Sequence, residues 1–452
     1  MTISNRSLFT GTVWTIGAYG VTTALRTATN VVLARLLAPD IFGTMLIVYT
    51  LRMGIELISD IGVGQNVIYN ENAEEPKFYN TAWSLQLVRS IALWLIFTAA
   101  AVPMARFYDS PVLATVVPVT AFSIVLSGLT SIGKSLLQKR MQLVRLNLFE
   151  VTTALINSIA TILFAYLHPD IWALVIGGVF GSLVSTIASY FLLSGIKQRF
   201  YISKQFAWQI LHFGKWIFAS SIVFFLSMYV DRLYLGKVVP IELLGVYGIA
   251  RSISDLSGNL TMRLGNVVFF PFVAAHAQTD RTQLHRRLAS PRARFLLLAA
   301  LGFAIFVSSA DFAIKILYDQ RYQAATWILP LLILGSWFSV LGYVNESIVL
   351  GLGRPSYGAA SNATKLAFLV VGLPVMVGQF GLLGGVVIVA LADLARYVPI
   401  LIGQRREHFS FGKQDLLLTL FVFVLVGSFE WIRWSFGFGT SFDSLPIHWS
   451  AF

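Results

Sequence analysis

Within the stretch "IVYTLRMGIELISDIGVG", residues 47–64, Arg52, Glu56 and Asp60 recur at intervals of four. On an α-helix that spacing lays three charges along one slowly drifting stripe. Arg251 and Asp255 repeat the spacing, and a lone Arg26 stands in similarly apolar surroundings. An arginine presents a planar fork that grips two oxygens of a phosphate or carboxylate and stays charged at any relevant pH. A carboxylate beside it either neutralises it or takes up a proton or cation when the arginine is engaged elsewhere. Two chemistries are therefore open. In one, arginines inside the spans recognise an anion, while Glu56, Asp60 and Asp255 pair charges or couple to H+ or Na+. In the other, Arg52–Glu56 and Arg251–Asp255 are structural ion pairs, each with the i, i+4 spacing.

The elements that must position these residues are set by the solvent. Of 452 residues 56% are hydrophobic and 12% charged, with mean hydropathy +0.74. That charged share is about half that of a soluble domain, so the chain is a multi-pass membrane protein. A charge at the bilayer centre costs roughly 2.5–3.5 kcal/mol on insertion scales, so charges in spans face a bundle interior or a wet cavity. The stripe is thus expected to point inward. The other charges inside spans are Arg89, Arg263, Glu150, Asp311, Glu346 and Asp393, with Lys134, Lys215 and Lys365 nearer the ends. Asp231–Arg232 reads as an interfacial anchor at a helix end, and Glu346 either lines a cavity or is satisfied by Asn345 or a neighbouring helix.

Apolar runs of about 20 residues predict helices near 10–35, 41–69, 81–105, 112–137, 146–167 and 171–194. A second series follows near 207–235, 242–274, 295–317, 325–351, 357–378 and 381–403, with a further segment near 415–432. The connecting loops are short, the longest being "AQTDRTQLHRRLASPRARF", so no soluble domain is expected. Lysine and arginine concentrate in alternate loops, which places the N-terminus and the basic loops in the cytoplasm. The net charge of +12 and pI near 9.9 then follow from topology, and no nucleic acid is needed to explain them. The first apolar run exceeds a signal-peptide core and reads as a retained helix.

Several chemistries find no support. There is no cysteine for a disulfide or thiolate site. The six histidines are scattered without metal-ligand spacing, and no phosphate-loop motif is present, so neither a metal nor a nucleotide cofactor is expected. "GGVFG" at 177–181 has the small-residue spacing of close helix packing. The tail "EWIRWSFGFGTSFDSLPIHWSAF" suits an interfacial aromatic belt.

The chain also repeats weakly. "ARLLAPDIFGTMLIVY" at 34–49 aligns with "GKVVPIELLGVYGIAR" at 236–251 at an offset of 202, pairing Arg35 with Lys237, Asp40 with Glu242 and Gly43 with Gly245. Six predicted helices separate the copies, so two halves of like orientation are expected.

These motifs, "LARLLAPDIFG" with "ISDIGVGQNVIYN", then "DRLYLGKVVPIELLGVYGIARSISDL" and "VLGLGRPSYG", resemble the polysaccharide transporter branch of the multidrug, oligosaccharidyl-lipid and polysaccharide exporter superfamily. The likeness runs through all twelve core segments. Met45 departs from the usual residue after the glycine, which bears on packing. The resemblance implies an all-α integral membrane fold: twelve core helices in two parallel-related six-helix lobes around a central cavity, at 1–200 and 201–404, with an extra helix and aromatic tail at 405–452. It implies a flippase of the bacterial inner membrane, with no enzyme activity, moving undecaprenyl-diphosphate-linked glycans for lipopolysaccharide, capsule or exopolysaccharide synthesis. Membrane lipids, a polymerase and glycosyltransferases would be its partners. Among the charged positions, Arg26, Arg52 and Arg251 match cavity arginines of related flippases and are the expected diphosphate contacts. The competing readings are a multidrug or cation antiporter of the same superfamily, which would want an acidic cavity, and a membrane polysaccharide polymerase, which would want a large extracytoplasmic loop.

Overall fold

The computed structural model describes residues 5–193 and 195–446, and the side chains among them except those of 5–13 and 213–220. Lys215 and His448 lie outside these described parts. Every regular element among the described residues is helical. The chain divides into two compact units, Met1–Ile222 and Val223–Phe452. The first contains α1 (Asn5–Leu36), α2 (Pro39–Ile58), α3 (Val63–Tyr69), α4 (Pro76–Phe107), α5 (Leu113–Leu129), α6 (Gly133–Lys139), α7 (Leu143–Leu167) and α8 (Ile171–Ser189). The division falls within α9 (Lys204–Val238). The second unit continues with α10 (Ile241–Leu264), α11 (Phe270–Ala275), α12 (Arg281–Leu317), α13 (Ala325–Gly351), α14 (Ser356–Arg406) and α15 (Gly412–Ser435).

Among the described residues eight helices are long and apolar enough to cross a membrane, or nine when α5 and α6, bent by 54°, count as one span. The 51 residues of α14 would reach about 76 Å if straight, far beyond a hydrocarbon core of about 30 Å. They fold instead at Gly381, whose φ 57°, ψ −144° suits only glycine. The two arms then run antiparallel. Lys365 meets Asp393 at 2.7 Å, the Ser361 hydroxyl donates to the Arg396 carbonyl, and a Cβ on Gly384 would lie 2.1 Å from the Met376 carbonyl oxygen. The predicted segments 357–378 and 381–403 are these arms. Counting α14 as two and each broken span as one, the helices are consistent with twelve core segments plus α15.

The repeat is visible in the helix boundaries. α1 ends at Leu36 and α2 starts at Pro39, while α9 ends at Val238 and α10 starts at Ile241, so the helix breaks recur at the offset of 202. Asp40 and Glu242 both occupy first turns, where an acid complements the helix dipole. Gly43 and Gly245 are both buried. Met45 is buried as well, as its packing role requires.

Three predicted boundaries move. The segment 41–69 breaks after Ile58. The Ser59 hydroxyl turns back to the Ile55 carbonyl, Asp60 Oδ1 accepts the Gly62 N–H at 2.9 Å, and Gly62 takes φ 65°. Such local side-chain bonds compete with the helical ladder. The segment 112–137 likewise breaks, into α5 and α6. The supposed long loop is mostly the start of α12, which Asp280 caps by accepting from the Thr282 and Gln283 N–H groups at 2.9 and 3.1 Å.

Close packing explains the small residues on α8: a Cβ on Gly177 would meet Thr161 at 2.6 Å and one on Gly181 would meet Asn157 at 1.9 Å, both on α7. α3 and α6 share an apolar cluster with the first turns of α4 and α9, including Val67, Phe78, Leu136 and Phe206. The extended stretch leading into α9 is pinned to α4 at alternate residues. The N–H groups of Arg199, Tyr201 and Ser203 donate to Asn80, Ser84 and Thr81 at 2.8, 2.9 and 3.0 Å. α15 runs parallel to α12 and is clasped at both ends, by Arg292–Asp415 near the starts and by Asp311–Arg433 (2.8 Å) near the ends. The tail folds back, with the Ser441 N–H and hydroxyl donating to Glu430 at 2.9 and 2.6 Å.

Candidate functional site

In the first unit the opening stripe is only partly realised. Arg52 Nε lies 3.3 Å from Glu56 Oε1 one turn on, and Arg52 Nη1 donates to Ser123 Oγ of α5 at 2.7 Å. Both members of the pair remain about a quarter exposed, at 26% and 28%. Asp60 is not on the stripe, because α2 has ended and its carboxylate closes the following turn. Arg89 of α4 acts on the end of α2. Its Nη2 donates to the Glu56 carbonyl at 2.5 Å and to Ser59 Oγ at 2.9 Å, capping carbonyls that the helix cannot satisfy itself. Arg26 is exposed on α1 and makes no ion pair among the described residues. It shares a helix face with Thr15, Tyr19, Thr22 and Asn30, at spacings of three and four.

The second unit gathers more charge. Arg251 of α10 reaches Asp255 at 3.3 Å and Asp231 of α9 at 3.4 Å. Arg232 Nη2 donates to Asp255 Oδ2 at 2.5 Å, and the Tyr247 hydroxyl donates to Asp231 Oδ2 at 2.5 Å. Nearby on α14, the Lys365–Asp393 pair bridges the two hairpin arms. These groups surround a cavity of ≈ 100 Å³ lined by Arg232, Arg251, Asp255, Lys365 and Asp393, with Ser254, Asn259, Ser336, Ser339, Tyr229 and Tyr343 completing a polar and aromatic wall. One step further out, Arg396 pairs with Glu346 at 2.5 Å and stacks 4.2 Å over the Tyr343 ring. Glu346 is thus satisfied by a neighbouring helix, whereas Asn345 joins the cluster of Arg292, Asp415 and Gln404 instead.

Asp231–Arg232 is the main correction to the sequence reading. Far from an interfacial anchor, both residues are buried and tie α9 to α10. The signal was present. α9 continues to Val238, as the offset of 202 from Leu36 requires, which puts the pair inside a span where the burial rule for membrane charges applies. Lys365, expected nearer an end, is also fully enclosed. Several donors and acceptors in the cluster lack a hydrogen-bond partner: Arg232 Nε, Arg251 Nε, Ser254 Oγ and Asp231 Oδ1. A group left unsatisfied inside an apolar bundle costs about 1–3 kcal/mol, so this arrangement has unused capacity to bind.

Outside the spans, the bidentate hydrogen bond from Arg140 holds the Glu74 carboxyl below its ordinary range. Because the folded value is the lower one, this contact supports the fold above the ordinary carboxylate range and is lost as pH falls through the depressed value.

The family described as "Polysaccharide biosynthesis protein" matches residues 32–326. The succinoglycan biosynthesis transport protein ExoT of Rhizobium meliloti (strain 1021) is 21% identical over 74% of this chain and 67% of its own. A putative O-antigen transporter of Shigella flexneri is 23% identical over 84% of this chain and 94% of its own. Among solved structures, the lipid II flippase MurJ in an inward closed conformation shares the fold with a TM-score of 0.76 at 13% identity, covering 92% of both chains.

Proposed function

The chain belongs to the polysaccharide biosynthesis protein family, and from that premise we propose that it is a flippase which carries an undecaprenyl-diphosphate-linked oligosaccharide across the bacterial cytoplasmic membrane by alternating access. The observation that carries this reading is a cluster of charges around one cavity inside apolar helices, in which Arg232, Arg251 and Lys365 are matched by Asp231, Asp255 and Asp393. Ionisable groups kept inside a membrane bundle mark a substrate path. A cation exporter would need a surplus of carboxylates there, and this cluster has none. A planar guanidinium grips a diphosphate in two places and cannot lose its charge.

On this proposal Arg26, Arg52 and Arg251 contact the diphosphate, and Glu56, Asp60 and Asp255 balance charge or exchange H+ or Na+ during the cycle. The lobes are 1–200 and 201–404, the segment 405–452 is accessory, and the N-terminus is cytoplasmic. The chain performs no covalent chemistry. Membrane lipids surround it, and glycosyltransferases and a polymerase of the same pathway supply and consume its cargo.

The test separates recognition from pairing at Arg52. Arg52→Ala removes a charge-assisted contact of order 1.5–3 kcal/mol, and transport of the lipid-linked glycan in reconstituted vesicles is expected to fall at least tenfold. Arg52→Ala combined with Glu56→Ala removes both members of the ion pair. A double variant that is folded yet inactive supports recognition of cargo. Full activity of the double variant would show that Arg52 serves only Glu56.

A further inference from the structure

The cavity of the second unit already contains an anion of its own. Asp255 places Oδ2 2.5 Å from Arg232 Nη2 and Oδ1 3.3 Å from Arg251 Nη2, so one carboxylate spans two guanidiniums. It is also the accessible member of the group. Its side chain is 30% exposed, against 10% for Arg232, 8% for Arg251 and 2% for Asp231. Asp231 is differently placed: it is buried, accepts from Tyr247 and pairs with Arg251 at 3.4 Å. The two forks are under-filled, since Arg232 Nε and the adjacent Ser254 Oγ find no hydrogen-bond partner and Arg251 Nε has only the 3.4 Å ion contact to Asp231. The two oxygens of Asp255 are too few for both forks, even with the contact that Asp231 adds. The charges around the cavity balance, with Arg232, Arg251 and Lys365 set against Asp231, Asp255 and Asp393. An incoming anion therefore finds no surplus positive charge unless one carboxylate gives way.

We propose that Asp255 is an internal stand-in for the cargo's diphosphate, which holds the Arg232–Arg251 fork while the cavity is empty and is displaced when the diphosphate enters. This rests on the flippase reading above and adds two things to it: Arg232 as a cargo-binding residue, and a built-in competitor that weakens binding so that the cargo can leave. A diphosphate supplies the acceptors that the two forks lack, and its negative charge answers the positive charge left uncovered once Asp255 has moved aside. Tight binding without such competition would slow release, because a transporter must let go of what it binds.

The experiment uses the full-length chain in lipid nanodiscs with inorganic pyrophosphate as the probe, read by calorimetry and by the shift in thermal unfolding. Asp255→Asn is expected to bind pyrophosphate at least tenfold more tightly than the unaltered chain, and adding Arg232→Ala should remove that gain. In vesicles, Asp255→Asn should transport the lipid-linked glycan more slowly although it binds the probe better. The Asn variant also leaves one buried cation without its partner, so its unfolding midpoint should drop and be restored by saturating pyrophosphate. Failure to recover a folded variant even with pyrophosphate present would overturn the proposal. Unchanged or weaker binding by Asp255→Asn, while Arg251→Ala still abolishes binding by the otherwise unaltered chain, would overturn the stand-in and leave the flippase reading intact. Binding that is indifferent to Arg251→Ala in every background would remove both.

Discussion

Replacing Arg251 with alanine is expected to abolish transport and to destabilise the second unit by about 3–5 kcal/mol, the usual cost of removing one partner from a buried ion pair. Two carboxylates lean on this guanidinium, at 3.3 Å from Asp255 and 3.4 Å from Asp231, and Asp231 has no exposed edge through which water could replace it. Two effects must be kept apart. Arg251→Lys keeps the charge but reaches only one acid at a time, so it should fold nearly normally and transport at a reduced rate. Arg251→Ala with Asp255→Asn removes opposite charges together and should recover much of the lost stability without recovering transport. Thermal unfolding and vesicle transport measured on the same preparations give both readings. Normal transport by a folded Arg251→Ala protein would exclude Arg251 from cargo binding.

Arg292→Ala is expected to have a comparable effect on stability through a different structure, the clasp of α15. Arg292 is fully buried in the chain and donates to Gln414 Oε1 at 2.5 Å, to Asn345 Oδ1 at 2.9 Å and to Asp415, with its guanidinium 4.6 Å over the Phe411 ring. Asp415 additionally accepts from Asn345 at 2.8 Å and from the Tyr397 hydroxyl at 2.6 Å. Alanine leaves Asp415 charged, buried and without a cation, a change of about 3–5 kcal/mol. The result should be a large fall in the unfolding midpoint, partly reversed by Arg292→Met with Asp415→Leu, since apolar replacement of a whole pair is often neutral. Because Arg292 and Asp415 do not line the cavity, transport per folded molecule should change little. A midpoint within a degree or two of the unaltered protein would show that α15 is held by its apolar face alone.

Hydropathy and short-range spacing carry much of this architecture. The helix at 325–351 follows directly from its apolar run, and the offset of 202 locates matching helix breaks in both units, because an acid and a glycine recur at those starts. Arg52–Glu56 and Arg251–Asp255 were legible for the same reason: an i, i+4 pair is fixed by helix geometry before any tertiary contact forms. The break after Ile58 was missed because it depends on hydroxyl and carboxylate bonds within "SDIG", which leave no mark on hydropathy. The residues from Arg281 to Arg294 looked like a loop for a related reason. A helix with a charged flank lowers hydropathy as a loop does, and only the folded chain turns Arg292 inward to Asp415.

What the sequence by itself determined is the solvent, the span pattern and the presence of charges that must be buried, since a bilayer leaves a lone charge no other place. What only the tertiary structure decided is which charges meet. Asp255 finds Arg232 on α9, Lys365 finds Asp393 across the hairpin at Gly381, and Asp60 is taken away from the stripe that its spacing suggested. Periodicity specifies the face of a helix on which a side chain stands. Its partner is set by how helices distant in sequence pack, and that depends on the summed fit of many apolar contacts, which no single stretch contains.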